Sequence, residues 1–371
     1  MPDQERLGGR RGQLASSGLR PGWTTGACAT AAATAAFVAL RSGEFPDPVT
    51  VTLPLGRTPA FALTDEALGD GWAMAAVTKD AGDDPDVTHG AVIRVTLRPA
   101  EAGGGVRFAA GTGVGTVTLP GLPLAIGEPA INPGPRAMIR ENLTAAAGGV
   151  EPDVVVEVGI DGGEAMARHT LNARIGILGG LSVLGTTGVV VPYSCSAWID
   201  SLRRGVDVAR ATGQDHVAGC TGSTSERVVA ELYGLPSVAL LDMGDFVGAV
   251  LKYVRGHPVP HLTLCGGVAK LSKLANGHLD LHSARSRVDA EQLARLSVGA
   301  GADPGLAALV AGSSTALEAV SLCVDAGVPL GDAIAEAARA EALRVLRGAP
   351  VAVDVVCIDR HGGIVGRAGQ A

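Results

Sequence analysis

From Thr25 the chain reads TTGACATAAATAAFVALRSG, small apolar residues without a proline, opened by hydroxyl side chains able to cap and closed by Gly43; this predicts a helix. Short runs of β-branched and apolar residues follow, VTVTLPL, AFALT, GWAMAAVT, AVIRVTL and GTVTLP, each set off by Gly, Pro or Asp, and together they predict a largely antiparallel sheet. INPGPRAMIRENLTAAAGG, residues 131–149, predicts a helix whose prolines fall at its entrance, where a missing N–H costs little. DVVVEVGI reads as a strand. The rhythm then changes to RIGILGG, a helix over 197–211, HVAGC, a helix over 223–233, SVALLD, a helix over 245–254 and HLTLCGG. Strands alternating with helices imply a parallel sheet with crossover helices. Three helical stretches near 302–311, 314–326 and 331–346 precede VAVDVVCID. The expected fold class is therefore α/β in the broad sense, mixed α+β and α/β. A polar leader over 1–19, read as disordered, precedes an N-terminal sheet-plus-helix domain over 20–150. A C-terminal α/β domain with a mostly parallel sheet follows over 151–371, its ligand loops beyond the carboxyl ends of the strands.

Composition narrows the function. The 371 residues are 47% hydrophobic and 18% charged, which excludes wholesale disorder. Glycine, with 53 copies, is about twice as frequent as in ordinary proteins and has no G-X-Y period, so tight turns and backbone-lined loops are expected. A net charge of −7 and 3% aromatics argue against nucleic acid as a partner, since such binding draws on phosphate neutralisation and stacking. No apolar run approaches the ~20 residues of a membrane helix, and no signal-peptide pattern opens the chain. Six cysteines without a CxxC pair fit neither a zinc site nor a disulfide framework, and a reducing cytoplasm is the simple reading.

Several stretches carry candidate chemistry. In LNARIGILGGLSVLGTTGVVVPYS an apolar strand runs into Gly179, Gly180, Ser182, Gly185, Thr186, Thr187 and Gly188. Glycines after a strand let backbone N–H groups approach a polar ligand, and hydroxyls add adjustable donors; a plain glycine-rich connection stands level with that reading. The lysine of a phosphate-binding GxxxxGK[ST] loop is absent. AGTGVGTVTLPGLP, with Gly111, Gly113 and Gly115, leads into a strand rather than a helix and is a weaker signal. VVVEVGIDGG superficially resembles the acidic-glycine motif of common S-adenosylmethionine methyltransferases through Glu157 and Gly159, but reads more simply as a turn. Thr24 and Thr25 open the first helix, where orphan N–H groups welcome a carboxylate or phosphate; an ordinary N-cap is the alternative. DAGDDPDVTHG could offer Asp83, Asp84 and Asp86 to a divalent cation, yet lacks EF-hand spacing and reads as a solvated turn. Over residues 251–290, six Lys/Arg stand against Asp280 and Asp289, a local +4 in an acidic chain. Within that stretch Lys270 and Lys273 share a helix face by their spacing, with His278 and His282 following, a patch suited to an anionic ligand. Two histidines without a third ligand make a poor metal site.

At these residues the sequence resembles the CbiD family, the cobalt-precorrin-5B C1-methyltransferases of anaerobic-type cobalamin biosynthesis. The resemblance runs from about residue 20 to about residue 289, with a looser tail. It rests on GWTTGACATAAATAA, DPDVTHGA, GVGTVTLPGL, GEPAINPGPRAMI, NARIGILGGLSVLGTTGVVVPYS, MGDFVGAVL and GVAKLSKLANGHLDLHS. Val191 departs from it, standing where a charged residue is expected before the proline, as does the smaller, non-basic Leu119. The resemblance implies transfer of the methyl group of S-adenosylmethionine to C1 of a ring-contracted cobalt tetrapyrrole, giving cobalt-precorrin-6A. In that reading the 179–188 loop holds the cosubstrate. Thr24, Thr25, Lys270, Lys273, His278 and His282 face the substrate's carboxylates, and cobalt belongs to the substrate, with no protein-bound metal. Two other classes stand beside it: a non-catalytic carrier of an anionic tetrapyrrole or other anionic metabolite, and a phosphotransferase, against which the missing P-loop lysine counts. Self-association and contact with a neighbouring pathway enzyme are left open.

Overall fold

The computed structural model describes residues 18–369; the expected leader lies outside them, apart from its last two residues. The chain divides into two compact units, Met1–Cys195 and Ser196–Ala371.

Unit 1 contains, in order, β1 (Gly22–Trp23), α1 (Thr25–Ser42), β2 (Val49–Thr50), β3 (Ala60–Phe61), β4 (Asp65–Gly69), β5 (Trp72–Thr78), β6 (Val92–Pro99), β7 (Val106–Ala110), β8 (Thr116–Val117), α2 (Pro133–Ala146), β9 (Val154–Ile160), α3 (Gly163–Ala167), β10 (Ile177–Leu178) and β11 (Val189–Val190). The alanine-rich text makes α1 a helix that is buried almost all round, since side chains this small let α2 and the sheet approach its backbone. Thr24 Oγ1 accepts from the Ala27 N–H at 3.1 Å and Gly43 closes the helix in the left-handed region at φ 84°. The buried hydroxyls of Thr30 and Thr34 each donate to the carbonyl four residues back, at 2.8 Å.

The main sheet of unit 1 has the order β4-β5-β6-β9-β7, antiparallel except for β9 and β7. This corrects the expected boundary near residue 150. β9 pairs Ile160 with Ile93 of β6 and Val154 with Val106 of β7, so it is an interior strand of unit 1 and not the first strand of a second domain. Its alternate residues are buried, and outward-facing Glu157 is ion-paired with Arg98 at 3.0 Å, an ordinary cross-strand pair.

The acidic segment after β5 is tied into the fold by its own side chains. Lys79, only 1% exposed, is paired with Asp86 and donates to Thr88 Oγ1 at 2.6 Å. Asp80 pairs with Arg20, whose guanidinium holds the carboxyl down to about pKa 2. Asp83 accepts the Arg20 N–H at 2.6 Å and Asp84 accepts the Tyr193 N–H at 2.8 Å.

Unit 2 contains α4 (Cys195–Ala211), β12 (His216–Cys220), α5 (Ser223–Tyr233), β13 (Leu240–Asp242), α6 (Val247–Gly256), β14 (His261–Gly267), α7 (Val268–Ala275), α8 (Ala290–Gly299), α9 (Pro304–Ala311), α10 (Ala316–Asp325), α11 (Leu330–Leu346), β15 (Ala352–Ile358) and β16 (Ile364–Ala368). Its sheet order is β13-β12-β14-β15-β16, parallel as expected except for the antiparallel edge β16. One face packs on α4, α6, α7 and α11, the other on α5. On the α5 side His216 stacks on His261 with ring centroids 3.8 Å apart, and its Nε2 is 2.8 Å from Thr263 Oγ1.

Two outcomes follow from these buried polar groups. Asp86→Ala strands a buried ammonium and is expected to cost about 3 kcal/mol in urea unfolding, more than the Lys79→Met/Asp86→Ala double variant, which removes both charges. Burial, with the neighbouring His261, holds the His216 pKa down to about 4, against ~6.5 for an unfolded histidine. The unfolded chain therefore binds the extra proton first, and stability falls as pH drops from ~6.5 towards 4. The melting temperature should be lower at pH 5 than at pH 7, by a smaller margin in His216→Asn; equal margins would contradict the assignment.

Candidate functional site

The 179–188 segment belongs to unit 1, and the structure ties it to three other motifs. The Leu181 N–H donates to the Gly113 carbonyl and the Gly115 N–H to the Leu181 carbonyl, both at 2.9 Å. The Val183 N–H donates to the Ala130 carbonyl at 2.8 Å and the Asn132 N–H to the Val183 carbonyl at 3.0 Å, beside the start of α2. Farther along, the Leu184 carbonyl accepts the Gly26 N–H at 3.1 Å and the Gly188 carbonyl accepts the Thr24 N–H at 3.0 Å. Four motifs that stand far apart in sequence thus make one knot around the start of α1.

That knot bears on two expectations. A Cβ at Gly180 would collide with the Gly113 carbonyl, one at Gly185 with the Thr24 side chain, and one at Gly188 would lie 2.7 Å from Leu53 Cδ1. Three glycines expected to admit a cosubstrate are therefore required by internal packing. Gly179, exposed and with φ 82°, has open space where a side chain would stand. Thr187 Oγ1 donates to the Val189 carbonyl at 3.2 Å; Ser182 is half-buried and Thr186 exposed. The cosubstrate assignment also presumed a strand of the α/β half, which begins only at residue 196. Thr24 and Thr25 are 6% and 4% exposed, and the helix-start N–H groups of 24, 26 and 27 are taken by Gly188, Leu184 and Thr24 itself. They form a buried cap, in which two main-chain carbonyls and the Thr24 hydroxyl accept these donors.

In unit 2 the expected lysine pair separates. Lys273 is 7% exposed and donates from Nζ to the Leu281 carbonyl at 2.8 Å, fixing the turn after α7; it is no part of an exposed patch. Lys270, half-buried, reaches the other way, 3.2 Å from both the Thr221 carbonyl and Asp245 Oδ1. His278 is half-buried. His282 is exposed, its Nδ1 accepting the Ala284 N–H at 3.2 Å. Unit 2 has a groove of about 400 Å³ lined by Ile199, Arg203, Phe246, Lys252, Tyr253 and Asp280, among others. Arg203 and Lys252 are exposed there, Arg203 lying over the Tyr253 ring at 5.8 Å. Lys252 is one of the six Lys/Arg of residues 251–290, whereas Arg203 lies on another helix outside that stretch.

A second arrangement in unit 2 was also missed. β12 lies between β13 and β14, the following helix α5 covers one face, and α7 after β14 covers the other. The chain thus leaves the carboxyl ends of adjacent β12 and β14 in opposite directions, which opens a crevice there. Its rim is Thr221, Gly222 and Ser223 after β12, Asp242 and Asp245 at and after β13, and Gly266 and Gly267 at the end of β14. The Thr221 N–H donates to the Cys265 carbonyl at 3.0 Å and Ser225 Oγ accepts the Gly222 N–H at 3.0 Å, so the first turn is held open and ordered. The signal was present in the text: an apolar strand ending CTGST, then a helix. Among the described residues no group of three or more His, Cys, Asp or Glu is placed to hold a metal ion.

Comparison with known proteins bears on the same chain. The CbiD family model matches residues 13–192, and the model "CbiD, C-terminal domain" matches residues 280–369. A protein of Halorhodospira halophila named cobalt-precorrin-5B C(1)-methyltransferase is 56% identical over 361 residues, 97% of each chain. Relatives of the same name from Paramagnetospirillum magneticum and Rhodospirillum rubrum are 57% and 58% identical, covering 94% and 95% of this chain and 98% of theirs. A crystal structure of a cobalamin biosynthesis protein (cbiD) from Archaeoglobus fulgidus is 26% identical, covers 66% of this chain and 76% of its own, and superposes with a TM-score of 0.37.

The packing of the knot gives a direct comparison. Gly180→Ala drives a Cβ into the Gly113 carbonyl and should lower stability by roughly 3 kcal/mol. Gly179→Ala costs only its left-handed φ, about 1 kcal/mol. Urea unfolding of the two variants side by side measures the difference, and equal losses would show that residue 180 is not wedged against residue 113.

Proposed function

The chain belongs to the CbiD family, and on that premise we propose that it methylates C1 of cobalt-precorrin-5B, giving cobalt-precorrin-6A in cobalamin biosynthesis. The observation that carries this is near full-length identity of 56–58% to three enzymes bearing that name. The carrier alternative finds no support among these relatives. S-adenosylmethionine supplies an electrophilic methyl group on a sulfonium centre. An electron-rich ring carbon forms the new C–C bond as the C–S bond breaks, which asks the protein for alignment and exclusion of water rather than for a strong base.

Arg203 and Lys252 bind the macrocycle's peripheral carboxylates along the groove of unit 2. His278 and His282 lie on the segment that borders the groove through Asp280. Tyr253, its hydroxyl held by Asp207 at 2.8 Å and its ring stacked on His257, forms an ordered wall beside those charges. None of the six cysteines is in a disulfide and five are buried, in keeping with a reducing cytoplasm. No described helix is long and apolar enough to cross a membrane.

Incubating the purified protein with cobalt-precorrin-5B and S-adenosylmethionine should yield S-adenosylhomocysteine and a product one methyl group heavier, in equal amounts. Binding of both ligands without turnover would leave a carrier. Within the reading, Arg203→Ala and Lys252→Ala should each weaken tetrapyrrole binding about tenfold, as loss of one charge-assisted contact does. Added salt should weaken wild type more than either variant. Absorbance titration at two salt concentrations checks both, and unchanged affinity would remove the groove from the substrate site.

A further inference from the structure

We infer that the crevice at the carboxyl ends of β12, β13 and β14 is a nucleoside site, taking the adenosyl group of the methyl donor, with Asp242 as acceptor for the ribose hydroxyls. The inference rests on the donor proposed above but places it in unit 2, away from the 179–188 segment.

Three observations meet there. The first is topological. Strand order β13-β12-β14 means that the crossovers after β12 and β14 diverge between neighbouring strands, where open parallel sheets admit ligands.

The second is the character of the glycines. Gly222, with an extended φ of 161°, and Gly267, at φ −64°, adopt backbone conformations that any residue can take, and no atom stands within 4 Å of where their side chains would be. Neither conformation nor packing asks for glycine at these positions, in contrast to Gly180, Gly185 and Gly188. Each stands at the crevice, one after β12 and one at the end of β14, so what their missing side chains preserve is space for a ligand against the backbone.

The third is the placement of acids. Asp242 is the last residue of β13, about 20 residues beyond Gly222, where a carboxylate at the end of the second strand meets the ribose of a nucleotide bound across the first turn. It is half-buried, and its main-chain carbonyl is held by Trp198 Nε1 at 2.9 Å, which fixes the strand end. Asp245 adds a buried carboxylate oxygen with no hydrogen bond: Lys270 Nζ stands 3.2 Å from Oδ1 as a charge partner but without hydrogen-bond alignment. A buried acceptor left in that state is what a donor group of a bound ligand would satisfy. Gly266 completes the floor, since a Cβ there would press on the Thr221 side chain at 2.6 Å and close the gap between β12 and β14.

The chemistry of this rim fits a nucleoside better than a phosphate. It presents two carboxylates beside one lysine, which suits neutral hydroxyls and a cationic sulfonium and repels a triphosphate. The same balance argues against the phosphotransferase reading by charge, independently of any motif.

Calorimetric titration of the full-length protein with S-adenosylhomocysteine tests this, followed by competition with adenosine and 2′,3′-dideoxyadenosine. Wild type should bind S-adenosylhomocysteine and prefer adenosine to its dideoxy form. Asp242→Asn should weaken S-adenosylhomocysteine at least about tenfold and abolish the preference for ribose hydroxyls. Gly222→Val, whose Cβ would have no protein atom within 4 Å, should melt with wild type and lose binding to a similar or greater extent. If wild type takes up no S-adenosylhomocysteine, the donor reading itself fails and this site with it. If wild type binds while Asp242→Asn keeps both affinity and ribose preference and Gly222→Val binds normally, the placement alone is overturned.

Discussion

The parallel pairing of β12 with β14 constrains the rest of unit 2. Because β13 joins β12 on its other side, the chain must cross over the sheet between them, and the helices that follow β12 and β14 end on opposite faces. Burial enforces this: residues 217–220 and 262–266 are covered on both sides, so the strands cannot slide or exchange places without exposing apolar surface. What remains uncovered is the gap at their carboxyl ends, where loops carry side chains that packing does not need. The crevice is a consequence of strand order, and the chemistry of Asp242, Asp245 and Lys270 is set around it.

Glycine serves two opposed purposes in this protein. In unit 1 it allows chain segments to touch: 180 against 113, 185 against Thr24, 188 against Leu53. The product is a rigid clasp around the start of α1, in which the carbonyls of 184 and 188 satisfy helix-start N–H groups that would otherwise invite an anion. In unit 2, Gly222 and Gly267 touch nothing, and the absence of a side chain leaves volume instead. A glycine-rich text alone cannot distinguish closure from vacancy, because both need the same missing Cβ; only the neighbours decide.

This difference governs how far the sequence could be read. Elements with a complete local signal were legible: α1 between Thr24 and Gly43, α5 over Ser223–Tyr233, and the apolar strands β12 and β14. The boundary was misplaced because β9 looks like any half-buried strand, and its membership in unit 1 resides in pairing with β6 and β7, remote in sequence. β4 escaped because DEALG is an edge strand with no apolar alternation. RIGILGG shrank to a two-residue strand because the left-handed turn at Gly179 ends it. The i, i+3 spacing of Lys270 and Lys273 put them on neighbouring parts of α7 without saying which part faces inward, and Lys273 proved to be a buried strut. Family and reaction were legible from motif order, whereas the ligand geometry depended on which strands adjoin.

The most direct test is a crystal structure of the protein grown with S-adenosylhomocysteine. Electron density for the nucleoside is expected at the carboxyl ends of β12, β13 and β14, with the ribose hydroxyls on the Asp242 carboxylate and the backbone of Gly222 against the ligand. Density for the adenosyl group at the 179–188 segment, with the crevice of unit 2 filled by water, would contradict it.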